Sequence, residues 1–145
     1  MYDPSDRKQV RAFFKTAWAK HIENVPAEPL EILIADVIQL HPEYQRLLEG
    51  SDDNLDKDYL AEDGQINPYL HLGMHITLRE QIQTDRPVGI VALYNKLLLK
   101  TNDIHNTEHL LMDCLGECLW TAQRNQLPPN EQSYLDCVQH QYEKL

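Results

Sequence analysis

Asn67-Pro68-Tyr69-Leu70-His71-Leu72-Gly73-Met74-His75, continuing to about Thr84, is the stretch whose reading decides the fold. An asparagine side chain accepts from the free N–H groups of a first helical turn, and proline is preset for that turn, so Asn67-Pro68 predicts a helix start. Leu78 and Ile82 carry an apolar face onward, and Arg86-Pro87 ends the segment. At about 100° per residue, His71 and His75 fall within about 40° of each other and of Leu78 and Ile82, which points both imidazoles toward a core. Glu80 points nearly the opposite way.

Outward from this helix the same periodicity recurs. Toward the C-terminus, Ile90, Leu93, Tyr94 and Leu97 predict a helix from about Val88 to Leu99, and the Thr101–Asp103 link leads into another from Ile104 to Arg124. On that long segment His105, His109, Met112, Gly116 and Leu119 share one side, Glu108 lies between them and the Ile104-Leu111-Leu115 stripe, and Asp113 and Glu117 turn outward. Pro128-Pro129 sets off a last helix, Glu131 to Lys144, with Tyr134, Cys137 and Val138 inward. Toward the N-terminus, Val10, Phe13, Phe14, Ala17, Trp18 and His21 predict a helix from Ser5 to Glu23, capped by Ser5 or Asp3. After Pro26 and Pro29, the stripe Leu30, Ile34, Val37, Ile38 and His41 predicts another. His41-Pro42 marks a break, because the residue before proline is pushed out of helical torsions, and Pro42 suits the first turn of a short helix to Leu48. The acidic run from Glu49 to Gln65 has almost no apolar period and reads as an exposed loop. No strand-like alternation or internal repeat appears. The expectation is an all-α fold, one helical domain over residues 1–145, built as a bundle of five to seven helices with an acidic loop at about 49–66.

Composition narrows the function. The 145 residues are 42% hydrophobic and 25% charged, ordinary for a folded domain able to bury one core. Twenty-three acidic against thirteen basic residues give a net charge of -10, which repels phosphate backbones and anionic lipid. No nucleic-acid or membrane partner is expected. The start lacks a secretion signal and no segment has the roughly 18 apolar residues of a membrane span, so a cytoplasmic location is expected. The sequence is silent on oligomeric state, though acidic bundles of this size often pair, so a homodimer is one candidate assembly. Cys114, Cys118 and Cys137 form no Cys-x-x-Cys pair, and their odd number suggests no disulfide framework; Cys114 and Cys118 read as small buried apolar side chains.

The chemistry-bearing feature is the double His-x-x-x-His pattern. Residues i and i+4 stack on one side of a helix, so His71 with His75 and His105 with His109 could meet around a metal between the 67–85 and 104–124 helices. Glu108 and Glu31, each at the edge of an apolar stripe, are the carboxylates suited to complete the shell, whereas Asp36 faces away. Imidazole with carboxylate suits a transition metal, iron, zinc or manganese. If the protein is an enzyme, hydrolysis by a metal-bound water or redox chemistry at iron follows. Gly73 and Gly116 would let helices approach closely, a reason to accept glycine inside a helix. His21 and His41 sit near helix ends, where capping competes with lining the same site. The competing class is a non-catalytic protein-protein interaction module whose histidines form a buried hydrogen-bonded network. A calcium loop at Asp52, Asn54, Asp56, Asp58 and Asp63 fails at its sixth position, where Lys57 replaces the glycine of the sharp turn. Gly-x-Ser-x-Gly and phosphate-binding glycine patterns are absent, so nucleophilic catalysis and nucleotide cofactors lack support.

The run Asn67 to His75, with His41-Pro42-Glu43-Tyr44, Met112-Asp113-Cys114-Leu115-Gly116-Glu117, Phe13-Phe14 with Trp18, and Ala122-Gln123-Arg124, resembles an uncharacterised proteobacterial family, domain-of-unknown-function family 1841, over nearly the whole chain. That resemblance implies no activity. The paired histidines are also similar to those of hemerythrin-like bundles, an analogy of fold; the His-x-x-x-Glu element of hemerythrin is absent, since Arg79 stands four residues after His75.

Overall fold

The computed structural model describes residues 4–50, 55, 57–59 and 67–145, with the backbone alone for residues 4–6. Among these the chain is all-α. Its helices are α1 (Pro4–Glu23), α2 (Pro29–Gln39), α3 (Pro42–Glu49), α4 (Pro68–Thr84), α5 (Ile90–Thr101), α6 (Ile104–Asn125) and α7 (Glu131–Lys144). Seven described helices fall within the expected number. None is long and apolar enough to cross a membrane. By packing the chain divides into two compact units, Met1–Ile76 and Thr77–Leu145, and the division falls within α4.

In the first unit α1, α2, α3 and the opening turns of α4 bury Phe14, Ala17, Trp18, Ile34, Val37, Ile38, Leu48, Tyr69 and Leu72 as one cluster. The buried face of α1 is rotated from the expected one. Arg11, Phe14, Lys15 and Trp18 point inward while Val10 and Phe13 are exposed. Long cationic side chains bury their aliphatic stems, which a hydropathy period does not register. Arg11 explains the rotation: its guanidinium donates to the carbonyl oxygens of Leu55 (3.2 Å) and Lys57 (2.8 Å) and lies over the Tyr69 ring at 4.8 Å. This corrects the reading of the acidic stretch as wholly exposed, because Leu55 is buried and held against α1. Residues 51–54, 56 and 60–66 of that stretch, with most of the rejected calcium loop, lie outside the described residues, as does the suggested cap Asp3. Ser5 lies inside α1 and is not its cap. Leu30 is exposed at the start of α2, outside the inward stripe.

In the second unit α5, α6, α7 and the last turns of α4 bury Leu78, Ile90, Leu97, Leu111, Leu115 and Val138. Side-chain caps beyond those expected from the sequence start α6 and α7. Asp103 accepts from the Asn106 N–H at 3.1 Å to start α6, and Asn130 from the Ser133 N–H at 3.0 Å to start α7. The α4–α5 turn uses a cis Arg86–Pro87 bond and Gly89 at φ 102°, where the Asp85 carboxylate accepts from the Gly89 and Val91 N–H groups at 3.1 Å each. A positive φ of that size strains any residue with a Cβ. Ile104 is exposed, so the apolar stripe of α6 begins at Thr107 and Leu111.

The cysteines depart most from expectation. Cys114 and Cys137 are joined in a disulfide between α6 and α7, with Cα atoms 5.6 Å apart, and Cys118 remains a free thiol. The sequence turns Cys114 and Cys137 inward on their helices without pairing them. Helical periodicity fixes the face a residue occupies and leaves open which faces meet.

Candidate metal centre

The first unit builds a cluster of imidazoles from three points of the chain. The Asn67 side chain accepts from the Leu70 N–H at 3.1 Å, which fixes the start of α4 and with it the rotation of the residues that follow. His71 and His75 then lie on one side of α4 with ring centroids 4.9 Å apart. His41 enters from the α2–α3 junction, where Pro42 breaks the helix and directs the side chain back. Its ring centroid is 5.1 Å from that of His71 and 4.7 Å from that of His75. His41 and His75 are fully buried and His71 half-buried. Tyr44, one turn into α3, stacks on His41 at 5.6 Å with rings 9° from parallel, and meets His71 edge-on at 5.8 Å. Burial and the Glu43 charge raise the Tyr44 pKa, so its hydroxyl stays protonated.

Nδ1 of His41 lies 2.8 Å from the carbonyl oxygen of Val37. A carbonyl only accepts, so Nδ1 must carry the proton, and in a neutral ring Nε2 then carries the lone pair. Such a second contact fixes ring orientation and tautomer in metal-binding histidines. His41 and His75 each have one ring nitrogen placed where it could serve an ion, whereas His71, which meets both rings edge-on, is not among the residues that do.

The second unit carries the other pair. His105 and His109 meet on α6 with centroids 4.2 Å apart, both half-buried. Glu108, between them in sequence and buried, accepts from Nε of Arg79 at 3.1 Å. The carboxylate expected to complete a metal shell thus serves as counter-ion to an arginine from α4. Nearby Tyr94 has its pKa raised, first by burial and next by the Glu108 charge, with Arg79 opposing. Glu31 has a comparable fate in the first unit. Its carboxylate accepts from the Glu28 N–H at 2.8 Å, closing the start of α2, and pairs with Lys20 at 2.9 Å. The backbone bond first and Lys20 second lower its pKa, against the opposing effect of burial.

Within each unit, then, the expected pairs His71/His75 and His105/His109 come together, while Glu31 and Glu108 are engaged by cations. His41, near a helix end where capping competes with lining a site, joins the α4 pair in ring contact. The signal was present: the apolar stripe Ile34, Val37, Ile38 extends to position 41, and the following proline aims the residue inward. His21 is exposed and stacks on Trp18 at 5.1 Å. Gly73 is not needed for close helix approach, since a Cβ built there meets no described atom within 4 Å.

No curated protein and no solved structure matches the chain. The family model for a domain of unknown function, DUF1841, matches residues 6–140. The motifs from Phe13 to Arg124 all lie inside that match, and the chain belongs to this family.

Proposed function

We propose that this protein is a transition-metal-binding helical domain whose donors are imidazoles. The observation that carries the reading is the buried pair His41 and His75, with ring centroids 4.7 Å apart, each of which offers one ring nitrogen to an ion. Within the first unit His41 and His75 each offer one ring nitrogen as donor, and within the second unit His105 and His109 do. With Glu31 bound to Lys20 and Glu108 to Arg79, nitrogen dominates the donor set. Imidazole suits zinc or iron, whereas manganese prefers carboxylate and water. A bound ion would act as a Lewis acid toward a water or carbonyl at any open coordination position.

The test is metal analysis of protein purified without a histidine tag, followed by titration of the metal-free chain with zinc against a chromogenic chelator. Stoichiometric zinc or iron that falls away in His41→Ala and His75→Ala, with helical circular dichroism kept, supports the reading. Protein that is purified clean, takes up no zinc and is not stabilised by it overturns the reading in favour of the interaction module. In that case the cluster would serve packing and hydrogen bonding, as in the contact of His41 with Tyr44 and its bond to Val37. Loss of uptake in His105→Ala alone would move the site to the second unit.

A further inference from the structure

A cleft of about 400 Å³ between α6 and α7 has all three cysteines of the chain in its wall, together with Glu117, Asn130 and Ser133. Cys114 and Cys118 stand on successive turns of α6, about 6 Å apart along its axis. Cys137 on α7 is bonded to Cys114, and its sulfur also lies 4.0 Å from Oε2 of Glu117, the residue beside Cys118. The Cys118 thiol in turn faces α7, donating to the carbonyl oxygen of Asn130 at 3.5 Å. Cys137 therefore lies against the edge of α6 that presents both sulfurs. Cys114 is buried, while Cys118 and Cys137 are half-buried at the cleft.

We propose that the cleft is a thiol–disulfide exchange site in which Cys137 alternates between two partners on α6, Cys114 and Cys118. The Cys118 thiol loses its proton to water and the thiolate attacks Sγ of Cys137. A Cys118–Cys137 bond forms as the Cys114–Cys137 bond breaks, and the electron pair leaves on Cys114, which takes a proton from water. One disulfide is consumed and one is made, so the step needs no oxidant. Exchange moves the free thiol from the half-exposed Cys118 to the buried Cys114. The two forms therefore differ in whether a low-molecular-weight thiol or electrophile can reach a free sulfur at the cleft.

The experiment equilibrates the full chain in reduced and oxidised glutathione at about pH 8, near the ordinary thiol pKa. Acid quenching, blocking with N-ethylmaleimide and proteolytic cleavage after Glu117, which separates Cys114 from Cys118, precede mass mapping of the linked peptides. Both links are expected in the wild-type chain, the second is lost in Cys118→Ala, and Cys114→Ala forms Cys118–Cys137 in the same buffer. A wild-type chain carrying only Cys114–Cys137 at equilibrium overturns the proposal. So does a Cys114→Ala variant that keeps its helical circular dichroism and forms no Cys118–Cys137 link. If Cys114→Ala does not fold, the wild-type map alone decides.

Discussion

Replacing Glu108 by glutamine tests whether this carboxylate is a counter-ion or a metal ligand. The change keeps shape and an acceptor oxygen but leaves the Arg79 guanidinium without the charge that faces it at 3.1 Å. Unit charges about 4 Å apart attract by about 4 kcal/mol at an effective dielectric near 20. Glu108 is 5% exposed in its side chain and Arg79 22%, so water screens part of this. Breaking a buried pair from one side costs about 3–5 kcal/mol, and with the partial exposure of Arg79 the expected loss is about 2–3 kcal/mol. Urea unfolding followed by circular dichroism reads that loss, and the double variant Arg79→Met with Glu108→Leu should recover most of it, because no lone charge remains. A second readout has a definite sign. Glu108→Gln removes one cause of the raised Tyr94 pKa, so Tyr94 should ionise at lower pH than in the wild-type chain, and Arg79→Met should shift it upward. Zinc uptake should be unchanged in Glu108→Gln. A variant as stable as wild type whose zinc affinity falls tenfold or more would refute the counter-ion assignment and make Glu108 a ligand.

Three further outcomes follow from the geometry. Gly73→Ala should stabilise the chain by about 1 kcal/mol, because a methyl group meets open space there and alanine restricts the unfolded chain; a loss of stability in thermal melts would contradict this. Glu31 has a folded pKa below its ordinary value of 4.5, so it stabilises the fold above that pH and the contribution fades as pH falls through the folded value. The stability gap between wild type and Glu31→Gln should accordingly narrow as pH falls below 4.5, and a constant gap would reject both the Glu28 backbone bond and the Lys20 pairing as causes of the lowered pKa. Asp103→Ala removes the acceptor for the Asn106 N–H and should cost about 1 kcal/mol, with faster amide exchange confined to the first turn of α6.

What the sequence determined alone was local. Asn67-Pro68, His41-Pro42 and Pro128-Pro129 punctuate the chain through torsions and backbone hydrogen bonds formed within a few residues, so these helix boundaries could be read directly. The i, i+4 spacing likewise placed His71 beside His75 and His105 beside His109, since one helix suffices to do so. Tertiary structure decided whatever depends on two segments meeting. It brought His41 to the α4 pair, bonded Cys137 to Cys114, turned Arg11 inward to hold the chain at Leu55, and gave Glu31 to Lys20 and Glu108 to Arg79. A periodic pattern specifies a face along one axis, but a carboxylate or thiol on that face can find its partner on any helix that packs there. Which one it finds is settled by side-chain packing and charge pairing summed over the whole core.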